Sequence, residues 1–409
     1  MREETRERGR PFQGIGINIL FLGLVSFFTD ISTEMVYPII PLYLMSALGA
    51  TPVLVGVIEG VAESLASLLK VFSGYASDRF QRKKAIAFAG YAAGIFYKLA
   101  LLFAGSWSGI LLARVIDRAG KGIRTAPRDV LVSESAGEGS LGKAFGLHKM
   151  LDMSGAALGI LATYFLLRRA TEHDYKLLFT VSLIPAVLGL CMFIFIKQAK
   201  ISASKSREPF WQNIRQVDAQ LRLYLLVVFL FTLGNSSNAF LILKAKAAGF
   251  DDISVILLYF LYNITASALS MPLGRLSDKI GRKRLLVLGY LLFSACYLAF
   301  ALAGGPAPMI AAFALYGVFT AMITGVERAY VAEIAPPALK GTLLGLQSTL
   351  AGIALLPASV IAGALWNALG PAAPFLFGAG LSFAAAMLLM FFMKGPKNFQ
   401  SRSGKYGMQ

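Results

Sequence analysis

The chain is poor in charge, cysteine and histidine. Only 15% of its 409 residues are charged, against about a quarter in ordinary soluble domains. With 56% hydrophobic residues and a mean hydropathy of +0.65, that shortfall excludes disordered, collagen-like and ordinary cytosolic classes. The two cysteines, Cys191 and Cys296, both lie in apolar runs. They exclude a disulfide scaffold and a four-thiolate zinc site. Two histidines leave little room for a His-rich metal centre. No H-E-x-x-H, G-x-S-x-G, Walker or dinucleotide-loop pattern occurs, so neither hydrolysis nor ATP drive is encoded in this chain. No enzyme, no metal and no cofactor are expected. A membrane-embedded enzyme or a receptor is kept only as the less favoured class.

What the sequence has in quantity is long apolar runs. They fall near 15–46, 53–77, 85–105, 107–133, 142–167, 175–197, 221–247, 252–277, 285–304, 306–334, 341–367 and 371–393. Each is long enough to cross about 30 Å of hydrocarbon. The net charge of +17 would fit a nucleic-acid partner until its distribution is read. Five connections on one side, 1–14, 79–84, 197–222, 279–284 and 394–409, hold 22 of the 39 Lys and Arg residues. The opposite side has Arg168, Arg169, Lys176, Lys244 and Lys246. The positive-inside rule then places both termini in the cytoplasm. The basic excess is a topology signal, and no nucleic-acid partner is expected. The first run contains Asp30 and is too long for a signal-peptide core, so it is expected to stay as an anchor. The reading is an integral multi-pass protein of a bacterial inner membrane, monomeric, with the lipid bilayer as its surroundings.

The polar stretch 198–220 divides the chain. It predicts a tail over 1–14, a six-helix bundle over 15–197, a middle loop, a second bundle over 221–393 and a tail over 394–409. Gly74-Tyr-Ala-Ser-Asp78-Arg79-Phe-Gln-Arg82-Lys83 recurs 200 residues later as Gly274-Arg-Leu-Ser-Asp278-Lys279-Ile-Gly281-Arg282-Lys283. Arg128 and Arg328 share that offset, and Gly146-Leu147 and Gly345-Leu346 are 199 apart. One offset at three places points to parallel repeats.

That twice-repeated loop, G-x-x-x-D-[RK]-x-G-[RK]-[RK], resembles the signature of the major facilitator superfamily, and the likeness covers essentially the whole chain. Gln81 stands where the first copy would have Gly. Arg114 occupies the Arg of the family's R-x-x-x-G pattern in helix 4, with Arg118 replacing its Gly. Gly146, Gly155 and Gly159 have the spacing of the antiporter motif without its Pro. The resemblance implies an all-α membrane protein of twelve helices in two pseudo-symmetric six-helix bundles. It also implies a cytoplasmic gate built on Gly74, Asp78, Arg79, Arg82, Gly274, Asp278, Lys279 and Arg282, with Asp129 or Glu134 as partner. The plainer reading makes these charges topology signals only, which accounts for the cations but not for the Asp and Gly.

Several ionisable residues fall inside the spans. At about 100° per residue, Arg114, Asp117, Arg118, Lys121, Arg124 and Arg128 share one face of the fourth. Acids sit one turn apart as Asp30 and Glu34, and as Glu59 and Glu63, while His148 and Asp152 share a face of the fifth. Charges at mid-depth are functional candidates by default. The alternative is an ion-pair network that only holds helices together. Asp30, Glu34, Glu59 and Glu63 are candidate proton carriers. Arg114, Asp117, Arg118, Lys121 and Arg124 are candidate substrate-binding groups. The second half offers Asn235, Asn238 and Asn263 with aromatic surface at Phe240, Tyr259, Tyr262 and Tyr316. The expected function is proton-coupled secondary transport of a small anionic or zwitterionic organic solute. The alternative is proton-antiport export of drugs or metabolites.

Overall fold

A computed structural model of the chain describes residues 16–80, 82–136, 141–169, 175–197, 219–323, 326–334 and 340–393. They form twelve membrane-length helical segments: α1 Ile17–Ser46, α2 Pro52–Phe80, α3 Lys83–Phe103, α4 Trp107–Glu134, α5 Leu141–Arg169, α6 Tyr175–Phe195, α7 Ala219–Ala247, α8 Asp252–Ile280, α9 Arg282–Leu302, α10 Pro306–Ile323 with its continuation Val326–Ile334, α11 Lys340–Leu369 and α12 Ala373–Phe391. Eleven are long and apolar enough by composition to span a bilayer; the twelfth, α4, carries the charged face. The N-terminal tail, the C-terminal tail and 198–218 of the middle loop lie outside the described residues.

Two helices are broken where the sequence reading has continuous spans. In α1 the break is a 3-10 turn at Tyr37–Ile39; Pro38 and Pro41 each lack an N–H for the α-helical ladder. In α7 it lies between Gly234 and Ala239, where Asn235, Ser236, Ser237 and Asn238 carry hydrogen-bonding side chains. These breaks stand at the repeat offset, and they bring polar backbone and side chains to mid-depth, where only protein or a water-lined cavity can receive them.

The repeat extends to individual contacts. Lys83 at the start of α3 pairs with Glu134 at the end of α4, and Arg282 at the start of α9 pairs with Glu333 at the end of α10. Lys84 donates to the carbonyl of Ile196 at 2.5 Å, and Lys283 to that of Met393 at 2.6 Å. Each lysine thus serves carbonyls at a helix C-terminus, which have no intrahelical donor.

The halves meet along α2 and α11. Gly56, Gly60 and Ser64 of α2 face Ser359, Leu356 and Gly352 of α11. Such small residues let two membrane helices approach backbone to backbone. At the end of the molecule away from the termini, Tyr175 of α6 donates to Asp252 of α8 at 2.8 Å, and Gly363 of α11 packs on Pro52 and Val53 of α2. That side is closed.

Candidate functional site

Between the halves lies a cavity of about 350 Å³, lined by Tyr37, Glu63, Asn235, Asn238, Tyr262, Tyr316, Phe231 and Glu327 among others. Its lining runs from the breaks in α1 and α7 to Ile323 and Glu327, toward the side that carries the termini. The two walls differ in chemistry.

From the first half Tyr37 and Glu63 line the cavity, and an ionic network stands behind them. Arg114 of α4 donates through Nε and Nη2 to the two carboxylate oxygens of Glu59 on α2, at 2.8 and 2.7 Å. Its Nη1 donates to Asp117 at 3.2 Å. Arg118 lies 3.1 Å from Glu63 and 3.6 Å from Asp117. The aromatic ring of Tyr37, at the α1 break, packs against both guanidiniums at 5.2 and 5.5 Å. The packing that permits this is glycine-rich: Gly122 of α4 lies against Ala66 and Leu69 of α2, and Gly120 against Gly90 of α3. Exposure rises along the face. Arg114 and Glu59 are dry at 0% and 1%, Glu63 is 29% exposed, and Lys121 is open. Arg124 is buried against the Tyr91 ring at 4.8 Å, and Lys98 is buried against Tyr97 at 4.5 Å.

A second group joins α1 to α5. Gly155 and Gly159 bring α5 onto the backbone of Phe27 and Ile31, and Asp30 of α1 and Asp152 of α5 lie at that seam. Lys149 donates to Asp152 at 2.7 Å. One turn along, His148 Nε2 and Ser26 Oγ are 3.0 Å apart. Glu34 accepts from Tyr259 of α8 across the halves at 3.4 Å.

The wall from the second half is neutral and aromatic. Tyr316 donates to Asn238 at 2.8 Å, and Asn238 donates to the Tyr262 hydroxyl at 3.4 Å. Asn235 lines the same wall. Asn263 donates to the Tyr259 carbonyl of its own helix at 2.9 Å, and Phe240 packs on Trp366.

The structure therefore brings Glu59, Glu63, Arg114, Asp117 and Arg118 into one network, and sets Asn235 and Asn238 on the cavity wall facing it. Among the gate residues, Arg82 and Lys279 are exposed, Asp129 pairs with its neighbour Arg128 at 2.8 Å, and Glu134 takes Lys83. The side chains of Asp78, Arg79 and Asp278, and Gly146, lie outside the described residues. Gly74 carries no tight steric demand, since a Cβ there would meet Ala126 at 3.4 Å, and a Cβ at Gly274 would meet nothing within 4 Å among the described residues. The glycine that the second loop does require is Gly281, at φ +92°. Sequence reasoning missed Tyr37, Asp152 as the companion of Asp30, and Glu327. Tyr37 stands seven residues after Asp30 and directly before a proline, which is the signal that was available.

A family model described as Major Facilitator Superfamily matches residues 22–243 and 223–407. An uncharacterized MFS-type transporter of Methanocaldococcus jannaschii is 36% identical over 381 residues, covering 91% of this chain and 94% of that protein. The multidrug resistance protein MdtH of Photorhabdus laumondii is 24% identical over 316 residues, covering 76% of this chain and 77% of its own. Among solved structures, a POT family transporter in complex with 5-aminolevulinic acid superposes with a TM-score of 0.80 at 12% identity, over 93% of this chain and 97% of that one.

Proposed function

The chain belongs to the Major Facilitator Superfamily, and from that premise we propose that this transporter is proton-coupled and carries a small polar organic solute by alternating access. The observation that carries the reading is the pairing of walls around one cavity. Glu63, partly exposed, lines it from the first half, and Lys121 is exposed further along α4. A hydrogen-bonded aromatic wall, Tyr316, Asn238 and Tyr262, stands on the second. A carboxylate at a boundary between dry protein and water changes its proton affinity as hydration changes, and rocking of the halves changes the hydration of both walls. Asp30, at the seam of α1 and α5, and Glu34, bonded across the halves, supply further exchangeable positions.

The guanidiniums of Arg114 and Arg118 are engaged by Glu59, Asp117 and Glu63, which leaves Lys121 as the exposed cation of α4 for an acidic group on the solute. Together with Glu63 this favours a zwitterion over a simple anion. The excess of Lys and Arg in the loops on one side supports both termini in the cytoplasm. The test is flux in proteoliposomes. An imposed pH gradient should drive accumulation of a charged metabolite, a protonophore should abolish it, and the solute should move protons in return. Solute uptake indifferent to the pH gradient would remove the proton coupling. A second reading, export by proton antiport, is favoured by Gly155 and Gly159, which pack α5 on α1, and by the likeness to the multidrug resistance protein. In inverted vesicles it predicts solute uptake coupled to proton efflux.

A further inference from the structure

The cavity between the halves is lined by rings and carboxylates, and among the described residues no lysine, arginine or histidine lines it. Its aromatic surface is continuous on the second half. Centroid to centroid, Phe231 of α7 lies 6.0 Å from Phe319 of α10, Phe319 lies 5.4 Å from Tyr316, and Tyr316 lies 5.2 Å from Tyr262 of α8. Tyr37 adds a ring from the first half, at the break in α1.

The charge has a matching sense. Arg114 and Arg118 meet three carboxylates, those of Glu59, Asp117 and Glu63. Two guanidiniums against three carboxylates leave one negative charge in excess, and Glu63 is the member that reaches the cavity. Glu327, which accepts from the Tyr290 hydroxyl at 2.9 Å, adds a carboxylate at the end toward the termini. The nearby cations stand outside the lining. Arg124 packs on Tyr91, Lys98 on Tyr97, and Lys121 lies further along α4.

Aromatic rings attract a cation through their quadrupole, and most strongly where water is excluded. The kind of cation follows from the hydrogen bonds. A primary ammonium brings three N–H donors that each need an acceptor, whereas an alkylated nitrogen needs ring surface. The Asn238 carbonyl is already taken by the Tyr316 hydroxyl, and its amide group donates to Tyr262. The middle of the wall therefore offers rings in place of acceptors.

We propose that this cavity recognises an alkylated ammonium group, set between Tyr37 and the rings of the second half, with Glu63 and Glu327 as counter-charges. The proposal rests on the transport reading and assigns the ends of the zwitterion: the ammonium end enters the cavity and the acidic end lies toward Lys121. A volume of about 350 Å³ suits a small compound of this class.

Three probes separate charge from alkylation: choline, its uncharged isostere 3,3-dimethylbutan-1-ol, and ethanolamine, whose nitrogen carries no methyl groups. Their binding to the purified full chain is measured by calorimetry. Choline should bind saturably and about tenfold or more tighter than either of the others. Phe319→Leu, which keeps apolar volume and removes a ring, should weaken choline about fivefold and leave the uncharged probe nearly unchanged. Glu63→Gln should lower the preference for choline in the same direction. The ratio of the two affinities is the readout, because a variant that misfolds loses both probes together, and the other variant then decides. Absence of saturable choline binding would overturn the site. So would ethanolamine or the uncharged isostere binding as tightly as choline, or a preference for choline that survives both substitutions. Binding is read without a gradient, so choline binding with no proton-driven flux would count against the transport reading alone. Proton-driven flux confined to solutes without an ammonium group would count against this site alone.

Discussion

Arg114 and the carboxylate it grips have almost no exposed surface, so neither can be removed alone without leaving the other charged and dry. Loss of one partner of such a pair typically costs about 3–5 kcal/mol. Arg114→Ala should therefore lower the melting temperature sharply, and Arg114→Met combined with Glu59→Leu should recover most of the loss. An additive double variant would show that the pair is not coupled. Lys121, seven residues along the same face, is exposed. Lys121→Ala should change stability by no more than about 0.5 kcal/mol while reducing solute affinity. With Cys191 and Cys296 replaced, a cysteine at Lys121 should react with a charged thiol reagent and be protected by solute, whereas one at Arg114 should stay inert. Equal reactivity at the two positions would contradict the gradient from dry to wet. The shared face of these residues was legible in the sequence, since helical periodicity alone sets it. Their exposure was not, because it depends on which helix packs over each turn. Glu59 covers Arg114, whereas Lys121 keeps an exposed side chain.

At the scale of the elements, the repeat offset is a statement about packing. The pairs Lys83–Glu134 and Arg282–Glu333 and the carbonyl bonds of Lys84 and Lys283 show the same hinge built twice. The interiors diverge at matched positions. Two hundred residues on from Glu59 stands Tyr259, and 199 on from Asp117 stands Tyr316. Ion pairs in one half are replaced by rings in the other, on the same backbone plan. The offset, the helix count and, through Pro38 and Pro41, the break in α1 could be read from the chain, but the break in α7 could not. A polar run such as Asn235-Ser-Ser-Asn238 is compatible with a continuous helix until the cavity gives its groups a place. The glycines make a sharper test. A Cβ at Gly155 would lie 2.9 Å from Phe27 Cα, and one at Gly159 3.0 Å from Ile31 Cα. Gly159→Leu should therefore push α5 off α1 and prevent folding or abolish transport. Gly274→Ala meets no described residue within 4 Å and should melt like the parent. If Gly274→Ala nonetheless slows transport, the backbone at this position is approached closely during the cycle, and that is the behaviour expected of a gate.

For the whole molecule, the arrangement of contacts defines a direction. The end away from the termini is closed by Tyr175 against Asp252 and by Gly363 against Val53, while the cavity extends toward the termini through Ile323 and Glu327. Alternating access requires the closed end to part, because α6 and α8 belong to different halves that move as units. A covalent tie between them should hold the molecule in its present state. Cysteines replacing Tyr175 and Asp252, in a background without Cys191 and Cys296, should be joined by a bismaleimide crosslinker. Joined protein should bind solute from the side of the termini yet carry none across the membrane, and the uncrosslinked double variant should still transport. The double variant alone loses the Tyr175–Asp252 bond together with the contacts of Tyr175 to Ser46 and Tyr43 and of Asp252 to Lys246, so its own transport rate before crosslinking is the reference. Transport that persists at full rate after complete crosslinking would mean that this end does not open. The solute would then have to pass by another route, and the two walls of the cavity would no longer be the two sides of an alternating site.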